Sequence, residues 1–432
     1  MRCALLLGLC LALRAAEPDP DEVIKRVTER VTAITARIPN YTCVESVVRE
    51  FYWPAASIPP QACTVIMEQR QHPVPDLSLT LAVTDRSHLD VTMTRTGEIF
   101  SWAGARRFSD TRLDQMVDGP ITSGVFGGFL SIVFNQDVRQ FAFKGNTEAD
   151  GRTLMEYSFE VAPEHSSYKV NYSASSIKSG YSGTVLVDPM TDDVVHLTVK
   201  TNPLPAANTC EIATDLDLHR VKIGESEFLL PGRARQRYVT TTGEEVENDT
   251  SFAQCREYSG TSTVTFGAPK PSTGRSPQTG AAPARVLANQ RFTFELTAAI
   301  ASLTAAAGDP FSGRLLTPLR DGRRKKVVPA GSLLEGRLLR VERHLLNPAF
   351  TTIVLKVQRI EVADSEFELT AVRDRSREMV AKRRKGKVQV EIPLPLPSEK
   401  NAGVFRFEGD QVVVPRGFKS DWRTVTVDAD SR

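Results

Sequence analysis

The stretch Met155-Glu156-Tyr157-Ser158-Phe159-Glu160-Val161 decides the fold class. Apolar side chains alternate with polar ones, and a period of two puts them on opposite faces of a β-strand. One face suits a core and the other suits water, the signature of an antiparallel sheet covered on one side. The pattern recurs upstream at Leu77, Leu79, Leu81 and Val83, at Leu89, Val91 and Met93, and at Phe141 and Phe143. Downstream it returns at Val195, Leu197 and Val199, then at Ile212, Leu216 and Leu218. Asp188-Pro189-Met190-Thr191-Asp192-Asp193 has turn chemistry and joins two of these strands.

Helices flank this sheet. Asp19-Pro20-Asp21-Glu22 supplies an N-cap, a first-turn proline and an acid at the third position. Val23, Val27, Val31, Ile34 and Ile38 then follow at helical spacing, until Pro39-Asn40 ends the helix. Dense apolar residues without strict alternation predict a second helix over 122–134. Residues 17–266 therefore read as an α+β domain, a curved antiparallel half-barrel sheet with helices on its apolar face. Phe141, Phe143, Met155, Tyr157 and Phe159 line that face, either as core beneath the helices or as the wall of a lipid-sized groove.

Residues 267–284, GAPKPSTGRSPQTGAAPA, hold nothing apolar larger than alanine, so they bury too little to fold and form a flexible linker. Beyond it, 291–295, 315–318, 327–343, 352–362, 367–372, 388–392 and 411–414 read as short strands of a small basic β-barrel, residues 285–432. The whole chain is mainly β. Its 432 residues and 41% hydrophobic content accommodate two cored domains. Charge is divided between them: 25 Lys/Arg face 34 Asp/Glu in residues 17–284, whereas 27 face 18 in residues 285–432.

The first sixteen residues, MRCALLLGLCLALRAA, combine one early charge, an apolar run and small residues. They read as a signal peptide, too short to span a bilayer as a helix. The expected location is periplasmic or extracellular, peripheral to the cell envelope, with no transmembrane segment after the signal. Four cysteines then remain, Cys43, Cys63, Cys210 and Cys255. Four allow three pairings, and the expectation is the local one, Cys43 with Cys63 and Cys210 with Cys255. No Cys-x-x-Cys or histidine spacing favours zinc.

Catalytic vocabulary is sparse, and no cofactor is called for. In 327–343, VVPAGSLLEGRLLRVER, Gly331 and Gly336 stand five apart as in a phosphate-binding loop. Arg337 and Leu338 replace the required Lys and hydroxyl, and the following residues alternate as a strand. Pro329-Ala330-Gly331 is a tight turn, and Gly336 marks a bulge or bend. Gly180-Tyr181-Ser182-Gly183 lacks the spacing of a nucleophile elbow and reads as a loop turn. Asp215, Asp217 and His219 project from one face of one strand and form the candidate set for a hydrolase, set against the ordinary wet face of an amphipathic strand. The basic runs 320–326 and 373–387 offer contacts to anions. Neither run has the aromatic residues that stack bases, which sets nucleic acid aside.

Gly308-Asp309-Pro310, Val328-Pro329-Ala330-Gly331 and Glu335-Gly336-Arg337 resemble the small β-barrel of TrbI-type conjugation scaffold proteins over residues 285–427. That resemblance implies assembly or binding without catalysis, and no functional residue carries over. The N-terminal helix and long sheet, with Tyr168-Lys169-Val170 and residues 183–188 and 194–199, resemble the lipoprotein-carrier superfamily of LolA, LolB and RseB-like half-barrels. Here the resemblance implies an acyl chain held on the apolar face. The combination is similar to exported two-domain proteins of soil bacteria. The expectation is a non-enzymatic envelope protein that binds or carries a lipid or lipoprotein acyl chain. Its basic C-terminal domain would meet an anionic envelope surface or a protein partner. The alternative is an envelope interaction or scaffold module without a small ligand.

Overall fold

The computed structural model describes residues 18–35, 41–55, 59–72, 78–94, 97–105, 108, 112–149, 151–172, 175–257, 288–320, 326–362, 365–375 and 399–425. The expected signal peptide, the linker, the strand at 388–392, Leu77, and most of both basic runs lie outside these residues.

Chain order begins with α1 (Pro20–Thr35), β1 (Tyr41–Pro54), α2 (Cys63–Gln71), β2 (Leu79–Thr94), β3 (Gly97–Trp102), α3 (Leu113–Met116) and α4 (Gly128–Ser131). A π-helical turn, Ile132–Asp137, extends α4. Then come β4 (Ala142–Ala149), β5 (Arg152–Val161), a small hairpin of β6 (Lys169–Tyr172) and β7 (Ser175–Lys178), β8 (Tyr181–Asp188), β9 (Asp193–Thr201), β10 (Thr209–Ile223), β11 (Ser226–Thr240) and β12 (Glu245–Glu257). Adjacent strands run antiparallel in the order β4-β5-β8-β9-β10-β11-β12-β1-β2-β3. This is the antiparallel, mainly β architecture read from the sequence.

Its apolar face is filled. Val23, Val27 and Val31 of α1 and Phe129, Leu130, Val133 and Phe134 share one core with Met155, Tyr157, Phe159, Val185, Leu197 and Leu216 of the sheet. Three sequence expectations shift here. The second helix starts at Gly128 rather than 122, because Gly124, Phe126, Gly127 and Gly128 direct their backbone N–H groups onto the carboxylate of Glu98. The residues 180–183 are not a loop, because Tyr181 opens β8. The two runs at 79–83 and 89–93 belong to one sixteen-residue strand, β2.

The disulfides overturn the local pairing. Cys43 bonds Cys255, and Cys63 bonds Cys210. Sheet order is the cause: β12 lies beside β1, which brings Cys255 to Cys43 across 212 residues. The unanticipated helix α2 packs on β10 and delivers Cys63 to Cys210.

The second half is all β: β13 (Arg291–Leu296), β14 (Ile300–Ala301), β15 (Pro310–Leu315), β16 (Leu319–Arg320), β17 (Lys326–Val328), β18 (Leu333–His344), β19 (Phe350–Val362), β20 (Ser365–Glu368), β21 (Ala371–Arg373), β22 (Gly403–Glu408), β23 (Val413–Val414) and β24 (Lys419–Thr424). The strand expected at 315–318 lies earlier, at β15, directly after the Gly308-Asp309-Pro310 turn. Phe292, Phe294, Phe311, Leu334, Ile353, Phe405 and Trp422 fill this core. The near-miss phosphate loop is β17, a turn and β18, with a register shift at Gly336. Arg337 is buried and donates to the carbonyls of Ala103, at 2.7 Å, and Gly308.

The halves share the edge of β2. Glu342, Arg343 and His344 of β18 pair with Asp85, Thr84 and Val83. A buried polar row accompanies this join. Register aligns Thr214, Gln236, Asn248, Arg49, Asp85 and Glu342 across six strands, β10 to β12, β1, β2 and β18. Arg49 Nε donates to Asp85 Oδ1 at 2.8 Å, and its Nη1 donates to the Asp118 carbonyl.

Candidate functional site

The open face of the same sheet carries the residues one position along. Ser158, Thr184, Thr198, Asp215, Arg235 and Asp249 are aligned by register across β5, β8, β9, β10, β11 and β12. They line a groove of roughly 1470 Å³. Along each strand, polar residues repeat every second position, because only those point into the groove. The result is stripes of charge. The β9 stripe carries His196 and Lys200, β10 carries Asp215 and Asp217, β11 carries Arg233, Arg235 and Arg237, and β12 carries Glu247 and Asp249.

Most of these charges are matched internally. Arg233 Nε donates to Asp249 Oδ1 at 2.8 Å, and Arg237 Nη2 donates to Glu211 Oε1 at 2.7 Å. The Arg233 hydrogen bond holds Asp249 below the usual carboxylate range. His196 sits between two acids, with Nδ1 at 2.7 Å from Asp217 and Nε2 at 3.8 Å from Asp215. Hydrogen bonding to Asp215 and Asp217 raises its pKa, and Asp215 is lowered in return. The two carboxylates thus favour the charged form of this imidazole. Arg235 lies between Asp215 and Asp249 in register, and its charge lowers both. Among the described residues it makes no side-chain hydrogen bond or close ion pair of its own.

Asp215 lines the groove, and Asp217 and His219 follow it on the same exposed face of β10, beyond the groove's lining. No contact of His219 with the two aspartates accompanies this shared face among the described residues. The register shift after Asp217 is a bulge at Gly232 of β11, which leaves the alternation of β10 intact and sets the His219 ring over Gly232. His196, from the neighbouring strand, contacts the aspartates instead. Its signal is present in the sequence, as the polar residue between Val195 and Leu197 in an otherwise apolar alternation. Leu197 and Val199 are buried, a bulge puts Val194 rather than Val195 in the core, and His196 lies on the opposite face of β9 with Thr198 and Lys200.

The apolar candidates separate. Met155, Tyr157 and Phe159 are buried beneath α1 and α4, and Phe141 is half-buried against them. Phe143 is 41% exposed on β4, its ring 5.5 Å from that of Tyr157. The Tyr157 hydroxyl donates to the Pro20 carbonyl at 2.8 Å, and burial pushes its pKa up to about 12. Glu45 is 1% exposed within the apolar layer, and burial first, then the charge of Glu98, raises its pKa well above the carboxylate range. Among the described residues, no three His, Cys, Asp or Glu side chains are grouped to hold a metal, and no helix is long and apolar enough to cross a membrane.

No family model and no curated protein matches the chain. Among solved structures, a DUF1329 family protein from Desulfovibrio piger aligns at 8% identity over 57% of this chain and 96% of its own, with a TM-score of 0.28. A putative outer membrane lipoprotein-sorting protein domain from Vibrio parahaemolyticus aligns at 9% identity over 56% of this chain and 95% of its own, with a TM-score of 0.25. At these scores neither likeness assigns a function.

Proposed function

We propose that the protein is a non-enzymatic, exported binding protein of two domains, 17–266 and 285–432, whose working surface is the polar groove. One observation carries this reading: the apolar face is packed with helix, whereas the opposite face holds roughly 1470 Å³ of open, charged space. Where charged groups face a partner, the two charge patterns are complementary. The basic C-terminal domain would hold the molecule at an anionic envelope surface. Native mass spectrometry of the full chain against a peptide, an acidic oligosaccharide and a lysophospholipid tests the reading. The expected result is retention of a polar ligand that is lost in Arg235→Glu. Retention of the lysophospholipid alone, unaffected by that substitution, would overturn it.

A second reading rests on Phe143. An exposed aromatic beside Tyr157 marks the rim of the helix-covered layer, where an acyl chain would enter by displacing α1. The same lipid result would establish that reading.

A further inference from the structure

Building on the groove reading, we infer that the β11 stripe is a docking track for an extended polypeptide segment bearing acidic side chains at every second residue, interleaved with basic ones. Three observations converge on this partner.

The first is spacing. Arg233, Arg235 and Arg237 project from one face of β11, about 6.8 Å apart. An extended peptide repeats its own same-face side chains at that interval. Laid along β11, it stays in register from Arg233 to Arg237, a span of about 14 Å. A chain with another repeat drifts out of register after one contact.

The second is the mixture of signs. Lys200 and Arg139 line the groove, but so do Glu160 and Glu247. A uniformly acidic glycan or polyphosphate would be attracted by the first pair and repelled by the second. A polypeptide carries both signs in one short segment. Acids at every second residue face the arginines, and the long lysine side chains between them bend over to the flanking carboxylates such as Glu247, which is cross-strand from Arg237. The groove also has hydroxyls at one end, and the one Phe, Tyr or Trp among its described lining residues, Phe159, is buried and so offers no open plate for stacking sugars or bases.

The third is the state of Arg235. Its neighbours are spoken for, with Arg233 on Asp249 and His196 on Asp217 and Asp215. The central guanidinium is exposed and, among the described residues, makes no side-chain hydrogen bond or short ion pair, so Asp215 and Asp249 on either side act on it through charge alone. A carboxylate delivered from above meets a planar fork built for bidentate hydrogen bonding. The flanking arginines need only share their existing partners with the next acids along the peptide.

Fluorescence anisotropy on the full-length chain tests this with two labelled peptides of about seven residues, long enough to overrun the track. In one, Glu and Lys alternate; in the other, the same residues are arranged as a Glu block followed by a Lys block. Both have the same composition and net charge, but the alternating peptide presents Glu at every second residue along one whole face, whereas the block peptide presents about two and then Lys, too few for all three arginines. The alternating peptide is expected to bind at least about tenfold tighter, a difference of about 1.4 kcal/mol. Arg235→Glu is expected to abolish that preference, and Arg235→Lys to weaken it while leaving the fold intact by circular dichroism. Equal affinity for the two peptides overturns the inference, because register then plays no part. An acidic oligosaccharide bound in an Arg235-dependent manner, with neither peptide bound, also overturns it but leaves the groove reading standing. If neither peptides nor oligosaccharide bind, both fall.

Discussion

Two rows of side chains cross the same strands of this sheet one residue apart and meet opposite fates. Thr214, Gln236, Asn248, Arg49 and Asp85 lie inside, all less than a tenth exposed. Asp215, Arg235 and Asp249 lie outside, where water solvates what they do not pair. Inside, a charge is tolerable only with its partner in place. Arg49 therefore uses its guanidinium on both Asp85 and the Asp118 carbonyl. Outside, the same kind of ion pair contributes little to stability and is free to serve recognition. The lesson is that burial, rather than the number of ion pairs, decides which of these charges the fold depends on.

Substitutions sharpen or break that comparison. Arg49→Ala leaves the Asp85 carboxylate buried without its partner and should cost about 3–5 kcal/mol in urea denaturation. A loss under about 1 kcal/mol would mean that the inner row is hydrated and the contrast false. Replacing Cys43 and Cys255 together by alanine should cost about 2–5 kcal/mol, read as a lower melting temperature. Gly183→Ala should cost about 1–3 kcal/mol, because the added methyl would stand 1.9 Å from the Thr198 carbonyl oxygen and 2.6 Å from the Phe159 ring. The smallest effect belongs to the outer face. His196 has a raised pKa, so its contribution is full below about pH 6.5 and fades as pH rises through the folded-state value. Asp215 has a lowered pKa, so its share is present above about pH 3.9 and is lost as pH falls through its folded value. The stability difference between wild type and His196→Gln should therefore peak between about pH 4 and 6.5. It should stay within roughly 0.2–1 kcal/mol, because these groups are substantially exposed. A difference that grows above pH 7 would show the imidazole acting in its neutral form.

The alternation at Met155 to Val161 was enough to read the sheet, because a period of two leaves little choice of element. The helix at Val23, Val27 and Val31 was legible for the corresponding reason. What failed was everything that depends on which strands become neighbours. Nothing near Cys43 announces β12, and nothing in β2 announces that β18 will cover its edge. The short helix α2 was missed because a nine-residue helix held by tertiary packing and a disulfide needs little amphipathic pattern of its own. The groove was half visible. Asp215, Asp217 and His219 are legible as a same-face set within one strand, whereas the arginine stripe and His196 take their meaning from neighbouring strands.

The disulfides bear on how this molecule would survive outside a cell. The Cys43 to Cys255 link encloses the Cys63 to Cys210 link, so one covalent ring sits inside another. A protease that cuts a surface turn between residues 63 and 210 releases no fragment, because both links still join the two pieces. The Asp188-to-Asp193 turn, with Met190 86% exposed at its tip, lies within that doubly tied span. Under oxidising conditions a single nick there leaves one particle of unchanged mass, apart from an added water. Covalent loss takes a reductant or a further cut: a second nick between residues 63 and 210 frees the segment between the nicks, and a cut beyond Cys255 frees the C-terminal half.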